Sequence, residues 1–110
     1  MIDTVIGTPI TEELIHNYFK CLVNSFFKIL PIREDCEKTL PIYIQSLQAE
    51  LLGAKELICE LNNDANFMIL LSILQYLHDN PDCPVADVKR EVFRAIAICN
   101  KLKAQYKKAV

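Results

Sequence analysis

The chain has 110 residues, 52% of them hydrophobic, with two glycines, five prolines and a formal net charge of −2. That length suits one domain with a sizeable core, and so apolar a composition with so little glycine excludes a disordered or linker-dominated chain. The longest apolar stretch, residues 67–77, is interrupted by Ser72 and Gln75 and falls short of the roughly 20 residues that a membrane span needs.

Residues 1–10 are apolar and punctuated by Gly7 and Pro9, which predicts a short extended N-terminal arm ahead of a single helical domain over residues 11–110. Thr11 suits the N-cap of a first helix, residues 11–30. Glu12 and Glu13 complement the positive end of its dipole, and Ile10 can staple onto Ile15. Its apolar positions cover more than one face, leaving His16, Asn17, Lys20 and Asn24 on a polar strip where His16 is expected to be solvated. Pro31 should end this helix. A charged connector, residues 33–38, follows, with Glu34 and Lys38 at pairing distance if a turn of helix forms.

Leu40, Ile44, Leu47, Leu51, Ala54, Ile58 and Leu61 step by four and three residues alternately, the spacing that places a whole set on one stripe. They predict a second helix to Leu61, capped by Thr39 with Pro41 in its first turn. Gly53 costs about 1 kcal/mol against alanine in mid-helix, so close approach of another helix backbone to the Gly53-Ala54 notch is expected, with a small ligand pocket as the alternative. Asp64 should cap a third helix, residues 65–77. The segment from His78 to Pro84, with two prolines and three Asx residues, predicts a turn. A fourth helix then carries an inward stripe of Val85, Val88, Val92, Ala95, Ile96, Cys99, Leu102 and Tyr106. The connections are short, so the expected fold is all-α, an antiparallel four-helix bundle with up-down-up-down topology.

Cysteines 21, 36, 59, 83 and 99 are odd in number and widely spaced, with no Cys-x-x-Cys pair and no neighbouring histidine at ligand spacing. Neither a zinc site nor a disulfide framework is expected, and no cofactor. Cys21, Cys59 and Cys99 fall in helical segments, where a free thiol acts as a small hydrophobe. Cys83 lies at the start of the fourth helix near His78, where a helix dipole can lower a thiol pKa. A thiol enzyme using Cys83 is therefore one alternative, although no complete catalytic constellation accompanies it. Met1-Ile2-Asp3 lacks the positive region of a secretory signal, which points to the cytoplasm.

Charge is unevenly distributed: residues 1–88 carry 5 basic and 13 acidic side chains, residues 89–110 carry 7 and 1. At about 100° per residue, Arg90, Arg94, Lys101 and Lys108 share one narrow sector opposite the apolar stripe of the fourth helix. Such a ridge can hold phosphates or an acidic partner, which makes a nucleic-acid-binding accessory factor the other alternative. A solvated face neutralised by the protein's own acids is the simpler expectation, since the pI is 5.6 and no aromatics interleave the ridge.

Residues 38–44, Lys-Thr-Leu-Pro-Ile-Tyr-Ile, lead into the heptad stripe, and residues 88–96 read Val-Lys-Arg-Glu-Val-Phe-Arg-Ala-Ile. Together they resemble uncharacterised small helical proteins encoded on bacterial phages and plasmids, a resemblance that spans residues 28–106 and brings no catalytic motif. In size and topology the chain is also similar to bacteriocin immunity proteins, cytosolic four-helix bundles that bind a target. The similarity implies a non-enzymatic binding protein acting through protein contacts. The breadth of the apolar surface on the first helix calls for cover by the arm of residues 2–10 or by a second copy, and a homodimer through it is the expectation.

Overall fold

The computed structural model describes Gly7, residues 10–35 and residues 37–106. The described chain is helical, in the order α1 (Glu12–Phe27), α2 (Ile29–Asp35), a 3-10 turn (Glu37–Thr39), α3 (Leu40–Leu57), α4 (Cys59–Asn62), α5 (Ala65–Asp79) and α6 (Val85–Gln105). Most of the N-terminal arm, together with Cys36, Lys107 and Lys108, lies outside the described residues.

Two of the expected caps form as local chemistry dictates. Thr11 Oγ1 accepts a hydrogen bond from the Leu14 amide at 3.1 Å, and Asp64 Oδ1 accepts one from the Phe67 amide at 3.0 Å, each satisfying an orphan donor of the first turn. Thr39 does not cap α3. Its backbone is already helical, φ −91° and ψ −10°, because the 3-10 turn feeds straight into the helix and leaves no extended residue to serve as N-cap.

Helix 1 does not run to Leu30. It breaks at Lys28, and Pro31 sits in the first turn of α2. Proline lacks the N–H that Phe27 C=O would accept and its ring crowds that carbonyl, so the ladder opens four residues before the proline. Ile32 N–H still donates to Lys28 O at 3.3 Å, which lets a new helix start at once. Because α2 ends at Asp35, Glu34 and Lys38 do not share a helical turn.

The long stripe of α3 is likewise interrupted, at Ile58, which adopts φ −98° and ψ 112°. Its amide still closes onto Ala54 O at 2.9 Å and its carbonyl accepts from Leu61 at 3.0 Å. The chain therefore turns without losing its hydrogen bonds, and both Ile58 and Leu61 remain buried. A β-branched side chain tolerates extended backbone well.

Helix 6 packs along α1 and α5, and α5 packs along α3. His16 of α1 reaches Lys103 and Tyr106 while Phe27 meets Phe93, so α1 and α6 run antiparallel. Gln45 meets His78 and Gln48 meets Gln75, so α3 and α5 do too. The core between them holds Phe19, with Phe67 edge-on at 6.2 Å and Tyr106 stacked at 6.0 Å, and is filled by Leu22, Phe26, Leu51, Leu70, Leu74, Val92 and Cys99. The inward stripe of α6 holds from Val88 to Tyr106. Val85, at its first turn, is 36% exposed instead, being beyond the reach of the facing helices.

Candidate functional site

Helices α1 and α3 run antiparallel without packing along each other, and Tyr43 Oη of α3 donates to Ser25 O of α1 at 2.7 Å. Below this tie the helices leave an apolar groove of about 540 Å³. From α1 and the residue before its cap come Ile10, Leu14, Ile15, Asn17, Tyr18 and Cys21; from α3 and its end come Glu50, Ala54, Leu57 and Ile58. On the α3 side the small Ala54 stands between the longer Glu50 and Leu57 and leaves space there. A Cβ added at Gly53 would meet nothing within 4 Å, so the expected helix backbone does not fill the Gly53-Ala54 notch, and Ala54 opens onto the groove. The groove is within the size range of a ligand or anchor pocket.

Leu14 is 56% and Leu57 39% exposed, leaving apolar rims to the groove. Asn17, Tyr18 and Glu50 bring polar groups among these apolar side chains. Tyr18 Oη is buried with no hydrogen-bond partner among the described residues. Burial, and then the charge of Glu50, push this phenol far above its ordinary pKa. Glu50 is exposed, and its carboxylate also raises the Tyr43 phenol, behind the larger effect of burial. No cation lies within ion-pair distance of Glu50 among the described residues.

The basic ridge of α6 has a different character. Arg90, Arg94 and Lys101 are exposed, and Lys108 lies outside the described residues. Arg90 pairs with Asp87 at 3.2 Å and Glu91 at 3.7 Å, and Arg94 pairs with Glu91 at 3.3 Å. The acids that neutralise the two arginines come from α6 itself, at helix spacing.

His78 and Cys83 belong to different elements. His78 is in the last turn of α5, where its ring contacts Gln45 and Asp79. The Cys83 carbonyl accepts from Arg33 at 3.2 Å. Its thiol is pushed up by burial, with Asp87 adding to the shift, contrary to the lowering expected from the helix dipole. Cys99 is buried and its thiol is pushed up to about 12. Cys21 and Cys59, expected to act as small hydrophobes, are exposed. Among the described residues no three His, Cys, Asp or Glu side chains group as a metal site.

His16, expected to be solvated, has instead a structural contact. Its Nδ1 lies 3.0 Å from Lys103 O and 2.7 Å from Tyr106 O, so the ring donates an N–H to the orphan carbonyls that end α6. Nothing local could have indicated this, since the partners are 87 and 90 residues away. The groove was equally concealed, and only the Gly53-Ala54 pair hinted at it. No family model matches the chain, and no curated protein and no solved structure matches it.

Proposed function

We propose that this chain is a non-enzymatic helical binding protein that works through protein contacts and receives an apolar segment of its partner between α1 and α3. The observation that carries this reading is the open groove itself, apolar along its walls and rimmed by Leu14 and Leu57. Contiguous apolar surface of this kind marks an interaction site more often than an accident of packing. In this reading the four long helices act as an up-down-up-down bundle whose α1–α3 side is left open for the partner. The resemblance to small proteins of phages and plasmids supplies the proposed setting, a bacterial mobile-element accessory protein of immunity type working in the cytoplasm. The pairing of Arg90 and Arg94 within α6 favours this reading over nucleic-acid binding, and the raised Cys83 thiol favours it over thiol catalysis. The homodimer expected through helix 1 would use Leu14 and its neighbours, so a second copy is the competing occupant.

A photo-crosslinking amino acid in place of Leu57, introduced in the cells that make the protein, tests this. Adducts with a protein are expected from position 57, absent from the exposed position 72 on α5, and lost when Ala54→Phe fills the groove. Equal adducts from both positions, or adducts that survive Ala54→Phe, would refute the reading.

A further inference from the structure

The groove is apolar over most of its length and charged at one point. From Glu50 to Leu57 its α3 wall spans eight residues, about 10 Å of helix. That length matches three apolar side chains spaced i, i+4 and i+7 on a docking helix. At the Ile58 end the rim is Ile10 and Leu57; at the other the lining ends at Cys21 and Glu50, with the Tyr43–Ser25 hydrogen bond joining the same two helices farther along. A docking helix lying along α3 must therefore bring one of its ends to Glu50. The carboxylate has no cation of its own among the described residues, and residues 1–88, which include both walls, carry 13 acidic against 5 basic side chains.

Resting on the binding reading above, we propose that the occupant is an amphipathic helix of a protein partner with a lysine or arginine at the end that meets Glu50. A basic side chain there can lay its methylene stem on the apolar rim and its charge against the carboxylate. Such a rim pair sets the direction and register of the docked helix more than its affinity. A second copy of this chain fits less well. Helix 1 would bring Glu12 and Glu13 in its first turn, and α6, the basic helix, has its apolar stripe buried at Val88, Val92, Cys99 and Leu102.

The test is a displayed library of helical peptides, each with leucine fixed at i, i+4 and i+7 and the flanking polar positions randomised, selected on the wild-type protein, on Glu50→Lys and on Ala54→Phe. The expected result is Lys or Arg enriched at one terminal position on wild type and Asp or Glu at the same position on Glu50→Lys. Capture should be lost on Ala54→Phe. Because Ala54→Phe can disturb packing, Leu57→Ser, at an exposed rim position, is selected in parallel, and a circular-dichroism melt of each variant reports its fold. For a single selected peptide, replacing the basic residue with Gln should weaken binding about twofold to fivefold, and the charge-reversed pair should recover it. Capture that Ala54→Phe or Leu57→Ser abolishes but that shows no charge preference would overturn the basic partner and leave the groove reading standing. No capture, or capture indifferent to both groove variants, would overturn both. Light scattering that shows a dimer returned to monomer by Ala54→Phe or Leu57→Ser would assign the groove to a second copy and overturn the partner as well.

Discussion

Tyr18 and Leu51 mark two extremes of burial in this core. Leu51 is fully buried among apolar neighbours, so Leu51→Ala should lower stability by about 2–5 kcal/mol in a denaturant titration, the transfer loss plus the cavity left behind. Tyr18 buries a hydroxyl without a partner among the described residues. A buried unsatisfied donor costs about 1–3 kcal/mol, so Tyr18→Phe should leave stability unchanged or raise it, measured the same way. A loss above about 1 kcal/mol would show that the hydroxyl has a partner in solution. His16 is the residue whose role the local pattern concealed: a polar strip on helix 1 reads as solvent-facing, yet the ring closes the carbonyl end of α6.

At the scale of elements, periodicity and caps were readable, but the breaks were not. The stripe from Leu40 to Leu61 stays on one buried face although the helix is interrupted at Ile58. Pro31 was a readable disruptor, but it acts through the Phe27 carbonyl it cannot satisfy, so the break appears before it and not at it. Gly53 lies in the interior of α3 with open space where its Cβ would be. Gly53→Ala should therefore stabilise the protein by about 0.5–1 kcal/mol, read from the shift in denaturant midpoint. A destabilisation would mean that something occupies the notch. The paired arginines of α6 are exposed, and exposed pairs contribute little. Replacing Arg90, Arg94 and Lys101 together with glutamine should leave the melting temperature nearly unchanged.

For the whole molecule, the buried acids of the core make stability depend on alkaline pH. Burial holds the Cys99 thiol neutral, raising its pKa from 9.0 to about 12. Burial and the neighbouring Glu60 raise Tyr106 from 10.0 to about 12. Both folded pKa values exceed the unfolded ones, so their stabilising contribution is complete below pH 9 and is lost as pH rises toward 12. The melting temperature should hold level on approaching pH 9 from neutrality and then fall, and Cys99→Ala should make the fall above pH 9 shallower while lowering stability at neutral pH. No described helix is long and apolar enough to cross a membrane, consistent with an apolar content spent on packing helix against helix.

The sequence by itself determined the helical class, the faces that become core and the Thr11 and Asp64 caps, because each depends on residues within a turn or two of one another. Side-chain spacing is a local quantity, and burial follows it. The tertiary structure alone decided that His16 closes α6 and that a groove opens between α1 and α3. Those outcomes arise from how far two helices stand apart and from which carbonyls remain unsatisfied once they are packed, and residues as distant as His16 and Tyr106 are brought together only by the packing itself.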